Sequence, residues 1–177
     1  IFFGSIARAV APIAQALGMK VLVWAPTKSA EELAAAGCVK AKTLDELLGT
    51  SDIVSLHCPL IPETEKLIGE RELAFMKPSA FLINTARGPI VDEDALVAAL
   101  DEGIASDGTR GICGAALDVL ADETAPNQAL IAHPRCIVTP HCAYSTQEAY
   151  GTVRRMSLQA VVDGLVFNRK PKHTVAE

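Results

Sequence analysis

The chain has 177 residues, of which 50% are hydrophobic and 21% charged, so it can bury one well-packed core and is not a disordered tail. Its 16 basic and 21 acidic residues give a formal net charge of −5. This charge argues against a nucleic acid or an anionic membrane as the partner, and a small soluble ligand is the expected one.

The cysteines limit the chemistry further. There are 5 of them, an odd number, and no two form a CxxC pair, which argues against a disulfide framework and a zinc site. We therefore expect no metal and a reducing cytoplasm. Arg8 and Lys20 interrupt the apolar N-terminal stretch, which is too short for a membrane span and lacks a signal-peptide pattern. Because the chain begins at Ile1, we expect it to be part of a longer protein.

Short β-branched runs alternate with helical stretches along the chain, the pattern of a parallel sheet covered on both faces. Capping-box spacing at Ser29/Glu32, Thr43/Glu46 and Ser145/Glu148 predicts three helix starts. Asp92 is expected to begin a fourth helix, which Gly103 would end. The predicted strands lie at 21–25, 52–58, 80–85, 113–119 and 136–140. This order predicts a doubly wound α/β sheet whose ligands lie beyond the carboxyl ends of its strands.

The first strand end carries a degenerate dinucleotide fingerprint. Gly4-Ser5-Ile6-Ala7 matches the last four positions of GxGxxG/A, but Phe2 occupies the first glycine position. Gly4 can still let a pyrophosphate approach and Ala7 can still pack against the strand, whereas a phenylalanine does not readily adopt the glycine turn. An apolar strand-to-helix turn without any ligand remains the alternative for this segment alone.

The next strand ends without the acidic residue that would bind the adenosine ribose. Ala25 stands there, followed by Pro26, Thr27 and Lys28. Loss of the carboxylate removes repulsion toward a 2′-phosphate, which Thr27 or Lys28 could approach, so the choice between NAD and NADP stays open. A solvated turn is an equal alternative for Lys28.

Three further strand ends carry groups suited to an acid substrate. Arg87 follows a strand in INTARGPIVDEDAL, where a guanidinium can clamp a carboxylate; pairing with Asp92 or Glu93 at the surface is the alternative. Asp118 ends the next strand, with Glu123 in the loop beyond it. His141 ends the last strand, and a nearby carboxylate would fix its tautomer.

Together, SLHCPLIPET, FLINTARGPIVDEDALVAAL, GAALDV and VTPHCA, in this order, resemble the NAD-binding domain of the D-isomer-specific 2-hydroxyacid dehydrogenases. The resemblance runs from Gly4 to about Pro171. It implies that Arg87 binds the substrate carboxylate and carbonyl and that Glu123 hydrogen-bonds His141, the general acid/base. It also implies a homodimer through this domain.

The resemblance also implies that residues along the carboxyl edge of the sheet contact the cofactor. Ser5 and Ile6 would lie at the pyrophosphate, Asp118 at the carboxamide, and Thr85 and Ala86 at the nicotinamide. The full set of expected cofactor residues is Gly4, Ser5, Ile6, Ala25, Cys58, Pro59, Thr64, Thr85, Ala86, Asp118 and Ala143.

The chain departs from the family at Phe2, at Ala25 and in a polar insertion at 104–110. The family's substrate domain is also missing, and only residues 1–3 remain of the first strand, whose loss would leave backbone groups unpaired in the core. We expect residues 1–165 to form the NAD(P)-binding domain and 166–177 to begin the return to the substrate domain. The predicted function is hydride transfer between NAD(P) and a small D-2-hydroxy acid; an NAD(H)-sensing corepressor-like module and an inactive fragment are the alternatives.

Overall fold

The computed structural model describes residues 1–170 and confirms a Rossmann-like α/β fold with parallel strands. Its strands are β1 (Leu22–Val23), β2 (Val39–Lys40), β3 (Ile53–Leu56), β4 (Phe81–Asn84), β5 (Gly114–Leu117) and β6 (Cys136–Val138). Its helices are α1 (Ser5–Ala16), α2 (Ala30–Ala34), α3 (Leu44–Thr50), α4 (Glu70–Phe75), α5 (Glu93–Ala105), α6 (Gln128–Ala132) and α7 (Gln147–Leu165). A short 3-10 helix, Gly88–Ile90, precedes α5.

The strands form two parallel sheets, β1-β2 and β3-β4-β5-β6. The second has an unbroken register, with Val54 beside Leu82 and Leu82 beside Ala115. All five predicted strands are present, each shorter than predicted. The prediction missed β2, because two residues are too few to show a period-2 pattern.

Residues 1–3 lie between the two sheets and hydrogen-bond to both. The Ile1 nitrogen donates to the Ser55 carbonyl at 2.7 Å and the Ile1 carbonyl accepts from His57 at 3.0 Å. On the other side, the Phe2 N–H donates to the Trp24 carbonyl at 2.8 Å. Residues 1–3 therefore pair with the chain on either side of them, so the backbone groups of this central stretch find partners.

Two of the expected helix boundaries are wrong. Thr146, not Ser145, caps α7, because the Thr146 hydroxyl accepts from the Ala149 N–H at 3.1 Å. Gly103 does not end α5 but lies buried inside it; a Cβ there would come within 2.4 Å of the Ile112 carbonyl. The positive φ that follows α5 belongs to Asp107 and Gly108. Ser29, Thr43 and Asp92 do cap α2, α3 and α5.

The chain divides into two compact units, residues 1–141 and 142–177. The first holds both sheets and a core that includes Leu48, Leu82 and Leu100, all fully buried. The second unit contains helix α7. The return segment expected at 166–177 ends in residues 171–177, which lie outside the described residues. All five cysteines are free, and no helix within residues 1–170 is both long and apolar enough to cross a membrane.

Candidate active site and cofactor edge

The turn that leads into α1 has a left-handed residue at the first position of the fingerprint. Phe2 adopts the left-handed conformation, with φ 65°, in which glycine is favoured, so the replaced glycine position keeps its turn. The Phe2 ring packs edge-on against Trp24 at 5.9 Å between centroids. Phe2 thus adopts the conformation that phenylalanine does not readily adopt, where packing against Trp24 and the hydrogen bond to the Trp24 carbonyl hold it.

The N-terminus of α1 is open toward a ligand. Gly4 caps the helix without a side-chain hydrogen bond, and a Cβ built on Gly4 meets no protein atom within 4 Å. The N–H groups of the first turn, at Ser5, Ile6 and Ala7, have no partner one turn back in the helix. Ala7 is buried against the core, as the third motif position requires. These features fit a pyrophosphate at the start of α1.

The next cofactor residues follow β3. Cys58 is buried, and burial raises the pKa of its thiol above the ordinary value, so this cysteine is a packing group. The Thr64 hydroxyl is also buried; it donates to the Pro59 carbonyl at 2.6 Å and accepts from the Ile61 N–H at 2.9 Å. Thr64 therefore shapes the loop that presents Pro59, which is exposed.

Arg87 is held at the end of β4 by a buried asparagine. Asn84 is fully buried, and its amide nitrogen donates to the Arg87 carbonyl at 2.9 Å while its amide oxygen accepts from the Ala86 N–H at 3.0 Å. The three residues Thr85, Ala86 and Arg87 thus form a braced loop. Sequence reasoning missed Asn84, although an asparagine at a strand end is a recognised turn signal.

The guanidinium of Arg87 is exposed and does not pair with the carboxylates offered as its alternative partners. It donates to the Ala86 carbonyl at 2.6 Å. Asp92 instead pairs with Lys66 at 2.9 Å, and Glu93 accepts from the Ala121 N–H at 2.6 Å. Surface pairing of Arg87 with Asp92 or Glu93 is therefore wrong, because both carboxylates have other partners.

His141 and Glu123 form the central polar pair of the site. The His141 Nδ1 lies 2.8 Å from Glu123 Oε1, with both side chains part-exposed. His141 has a left-handed backbone, φ 51°, and its N–H donates to the Thr139 carbonyl at 2.9 Å. Because Glu123 engages Nδ1, the Nε2 nitrogen is the one that can face a substrate.

A pocket of about 380 Å³ lies beside this pair. Its lining includes Asp118, Leu120, Glu123, Thr139 and His141. Asp118 is buried and accepts a hydrogen bond from the Thr139 hydroxyl at 2.5 Å, which ties the ends of β5 and β6 together. The pocket therefore combines apolar walls with a carboxylate–imidazole pair, the general make-up of a small-molecule site.

The Arg87 loop and the Glu123 loop are in direct backbone contact. A Cβ at Gly88 would lie 2.0 Å from the Leu120 carbonyl and 2.4 Å from the Ala121 nitrogen, so only glycine permits this approach. Neither Gly88 nor Glu93, which also contacts Ala121, was predicted from the sequence. The structure thus brings Arg87, Glu123 and His141 to one edge of the sheet. Ala143 is exposed in the second unit.

Comparison with known proteins identifies the family. The profile of the "D-isomer specific 2-hydroxyacid dehydrogenase, NAD binding domain" matches residues 1–143. The chain belongs to this family, as its NAD-binding domain. Its cofactor is NAD, in agreement with the open turn at Gly4.

The family members that the chain resembles are enzymes. It is 43% identical to a glyoxylate reductase of Thermococcus litoralis over 149 residues, which are 83% of this chain and 42% of that protein. It is 43% identical to a D-3-phosphoglycerate dehydrogenase of Synechocystis over 146 residues, 82% of this chain and 25% of that protein. The chain thus spans less than half the length of these relatives.

A solved structure shows the same fold. The NAD⁺ complex of D-lactate dehydrogenase from Lactobacillus jensenii matches with a TM-score of 0.86 at 35% identity, over 98% of this chain and 53% of that one. The match covers both described units and extends over about half of the known enzyme. The domain boundary expected at residue 165 stays a prediction.

Proposed function

We propose that the protein containing this chain is an oxidoreductase that transfers a hydride between the nicotinamide cofactor and a small D-2-hydroxy acid or 2-keto acid. The observation that carries the proposal is the Glu123–His141 contact of 2.8 Å, at the same sheet edge as the braced Arg87 loop. A general acid/base with an orienting carboxylate, next to a carboxylate clamp, suits a substrate with both a hydroxyl and a carboxylate.

The proposed catalytic roles follow from the atoms that His141, Glu123 and Arg87 offer to a substrate. During oxidation, His141 Nε2 accepts the hydroxyl proton of the substrate, and Glu123 stabilises the imidazolium through Nδ1. The nicotinamide cofactor, which the first turn of α1 would hold, would supply the acceptor for the hydride at the substrate C2. During reduction, the imidazolium returns its proton to the carbonyl oxygen. Arg87 binds the substrate carboxylate and polarises the carbonyl in both directions.

The cofactor residues divide by position. The first turn of α1, with Gly4, Ser5 and Ile6, would hold the pyrophosphate. Pro59 and Ala25 would border the adenosine half, with Cys58 and Thr64 supporting that loop from inside. Thr85, Ala86 and Asp118 would border the nicotinamide, and we place Ala143 there only on the family resemblance.

The relatives favour the enzyme over the binding-module alternative, since the matched proteins are named as dehydrogenases and reductases. Within the enzyme hypothesis, the substrate panel is glyoxylate, hydroxypyruvate and pyruvate. We also propose a homodimer, as the family resemblance implies, and a cytoplasmic location, which the five free cysteines favour. Four apolar side chains of α1 and its C-cap, spaced along one helix face, are exposed and available for such a contact: Ile6, Val10, Ile13 and Leu17.

The test is His141→Asn in the full protein. We expect kcat with the preferred 2-keto acid to fall by about 10²–10⁴-fold, because proton transfer is lost, while the Kd of the reduced cofactor stays unchanged. The measurements are steady-state oxidation of the reduced cofactor and isothermal titration. His133→Asn is the matched control, since His133 precedes β6 at the opposite edge and contacts Asp101 at 3.3 Å. No turnover by the wild type across the panel would contradict the proposal.

A further inference from the structure

The proposed catalytic carboxylate lies in a loop that burial does not hold in place. Glu123 belongs to the stretch between β5 and α6, and residues 121–125 are all exposed. Loops of this kind are usually mobile, because few apolar contacts fix their backbone. Glu123 Oε1 nevertheless lies 2.8 Å from His141 Nδ1. Hydrogen bonds must therefore supply the order that packing does not supply.

The side chain of Asp122, the residue before Glu123, accepts such hydrogen bonds. Its Oδ1 atom accepts from the Thr124 N–H at 2.8 Å, the Thr124 hydroxyl at 2.7 Å and the Ala125 N–H at 3.1 Å. These contacts run from the residue before Glu123 to the two residues after it, so they close a turn around the Glu123 backbone. This turn sets the direction in which the Glu123 side chain leaves the loop.

The Asp122 carboxylate is a strong acceptor. The hydrogen bond from the Thr124 hydroxyl, and then those from the Thr124 and Ala125 N–H groups, lower the pKa of Asp122 below its ordinary value. Asp122 is therefore ionised at neutral pH, and hydrogen bonds to an ionised acceptor are stronger than those between neutral groups. Because the three hydrogen bonds converge on one oxygen, loss of that atom releases the whole turn.

Two other side chains fix the ends of the loop. At its start, Glu93 accepts from the Ala121 N–H at 2.6 Å. At its end, Asn127 accepts from the Ala129 N–H at 3.0 Å and caps α6. The Asp122 carboxylate acts between these two anchors, directly beside the proposed catalytic carboxylate. The conformation of the middle of the loop therefore depends on Asp122.

We propose that Asp122 is a positioning residue for the reaction: through the turn over residues 122–125 it presents Glu123 to His141. In this role Asp122 touches neither the substrate nor the cofactor. It holds the Glu123 carboxylate where that group can stabilise the imidazolium. The inference rests on the proposed function, since the pair that Asp122 serves is the proposed general acid/base with its orienting carboxylate.

The first test compares Asp122→Ala with Asp122→Asn in the full protein. Alanine removes the acceptor, and we expect kcat with the 2-keto acid to fall by about tenfold, because a small misplacement of reacting groups is costly. The KM and the Kd of the reduced cofactor should stay unchanged, because Arg87 and the start of α1 are untouched. Asparagine keeps an acceptor oxygen and should restore most of kcat. Steady-state kinetics and isothermal titration are the measurements.

Substitutions of Thr124 test the same turn from the donor side. Thr124→Val keeps the backbone N–H and the size of the side chain but loses the hydroxyl, so kcat should fall less than in Asp122→Ala. Thr124→Ser keeps both donors and should have the kcat of the wild type. Asp52→Ala is the matched control, because Asp52 is an exposed carboxylate just before β3 that pairs with Lys77 at 2.9 Å. It should leave kcat unchanged, and circular dichroism on each variant checks the fold.

A double-mutant cycle shows whether Asp122 acts through Glu123. In a Glu123→Ala background, Asp122→Ala should lower kcat no further, because the group that Asp122 positions is already absent. A role in general stability would give additive losses instead. Additive losses, or an Asp122→Asn protein as slow as Asp122→Ala, would overturn the proposal.

The NMR resonances of the His141 ring give a measurement that does not depend on turnover. Asp122→Ala should shift them in the same direction as Glu123→Ala, whereas Asp52→Ala should leave them unchanged. Unshifted His141 resonances in Asp122→Ala would contradict the positioning role even in an active enzyme. A wild type without turnover on the substrate panel, but with His141 resonances that respond to Asp122 as expected, would contradict the proposed oxidoreductase alone.

Discussion

Two residues at the ligand edge, Phe2 and His141, have left-handed backbones although neither is glycine. Such conformations cost of order 1–3 kcal/mol each and persist where the surroundings determine them. For Phe2 the surroundings are Trp24 and the sheet hydrogen bond; for His141 they include the carbonyl of Thr139. Both strained positions lie where a ligand is proposed to bind, one at the pyrophosphate and one at the reacting carbon.

Among single residues, Gly88 gives the sharpest prediction. Gly88→Ala places a methyl group 2.0 Å from the Leu120 carbonyl, so the Arg87 loop or the Glu123 loop must move. We expect a loss of about 1–3 kcal/mol in the free energy of unfolding and a raised KM for the 2-keto acid. Urea denaturation and steady-state kinetics measure the two effects.

Gly49→Ala is the matched control for this substitution. Gly49 lies in α3, where a Cβ would stand at an ordinary 3.6 Å from the Phe75 carbonyl. Alanine in a helix should stabilise by roughly 0.5–1 kcal/mol and leave KM unchanged. A Gly88→Ala protein with wild-type KM would show that the contact does not position the site.

At the scale of elements, the N-terminus of α5 organises two loops. Asp92 caps the helix by accepting from the Ala95 N–H at 3.2 Å and pairs with Lys66 on the loop before α4. The next residue, Glu93, reaches the opposite way and accepts from Ala121, two residues before Glu123. One helix start therefore anchors both a structural loop and the loop of the proposed catalytic carboxylate.

Substitutions at these two positions should separate stability from activity. Glu93→Ala leaves the Ala121 N–H without its acceptor, and we expect kcat to fall by about tenfold as the Glu123 loop loosens, since a small misplacement of reacting groups is costly. Glu93→Gln keeps an acceptor oxygen and should restore most of kcat. Steady-state kinetics on both variants is the measurement, and equal loss in both would contradict a positioning role.

We expect Asp92→Ala to lower stability and not activity, the reverse of Glu93→Ala. It removes the helix cap and should cost about 0.5–2 kcal/mol of stability while leaving kcat unchanged. The hydrogen bond from Lys66, with that from Ala95, lowers the pKa of Asp92 below its ordinary value. The ionised side chain therefore stabilises the fold above the pKa of the unfolded chain, and this contribution is lost as the pH falls through the folded-state pKa. Urea titrations of both proteins at neutral and acidic pH should show the difference narrowing on acidification.

On the scale of the whole molecule, residues 1–3 join the two sheets of the first unit. Ile1 hydrogen-bonds to β3 and Phe2 to the residue after β1, so residues 1–3 connect the two sheets. The fingerprint turn follows directly from this link. The position of α1, and with it the proposed pyrophosphate site, thus depends on three residues at the centre of the fold.

The proposed dimer is testable at this scale through α1. Ile13→Asp combined with Leu17→Asp places two charges on its exposed apolar face, and we expect the dimer to dissociate because burying these carboxylates is costly. Sedimentation velocity is the measurement. Ile104→Asp, on the exposed face of α5, is the control and should remain dimeric. A monomeric wild type would contradict the dimer.

Sequence patterns alone predict the parallel α/β class, the starts of α2, α3 and α5, and the positions of Arg87, Glu123 and His141 beyond strand ends. These follow from local periodicity, capping chemistry and chain order, which are properties of short segments. The same local signals failed for β2, which is too short, and for Gly103, which has a packing role that depends on Ile112.

Long-range packing determines which of these groups come into contact. That Asn84 holds Arg87, that Gly88 touches Leu120, and that Arg8 and Lys28 share Glu32 are outcomes of the fold. The Gly88–Leu120 and Arg8–Glu32 contacts join segments that lie far apart in the chain. Periodicity and capping signals span only a few neighbouring residues, so they give no information about such contacts.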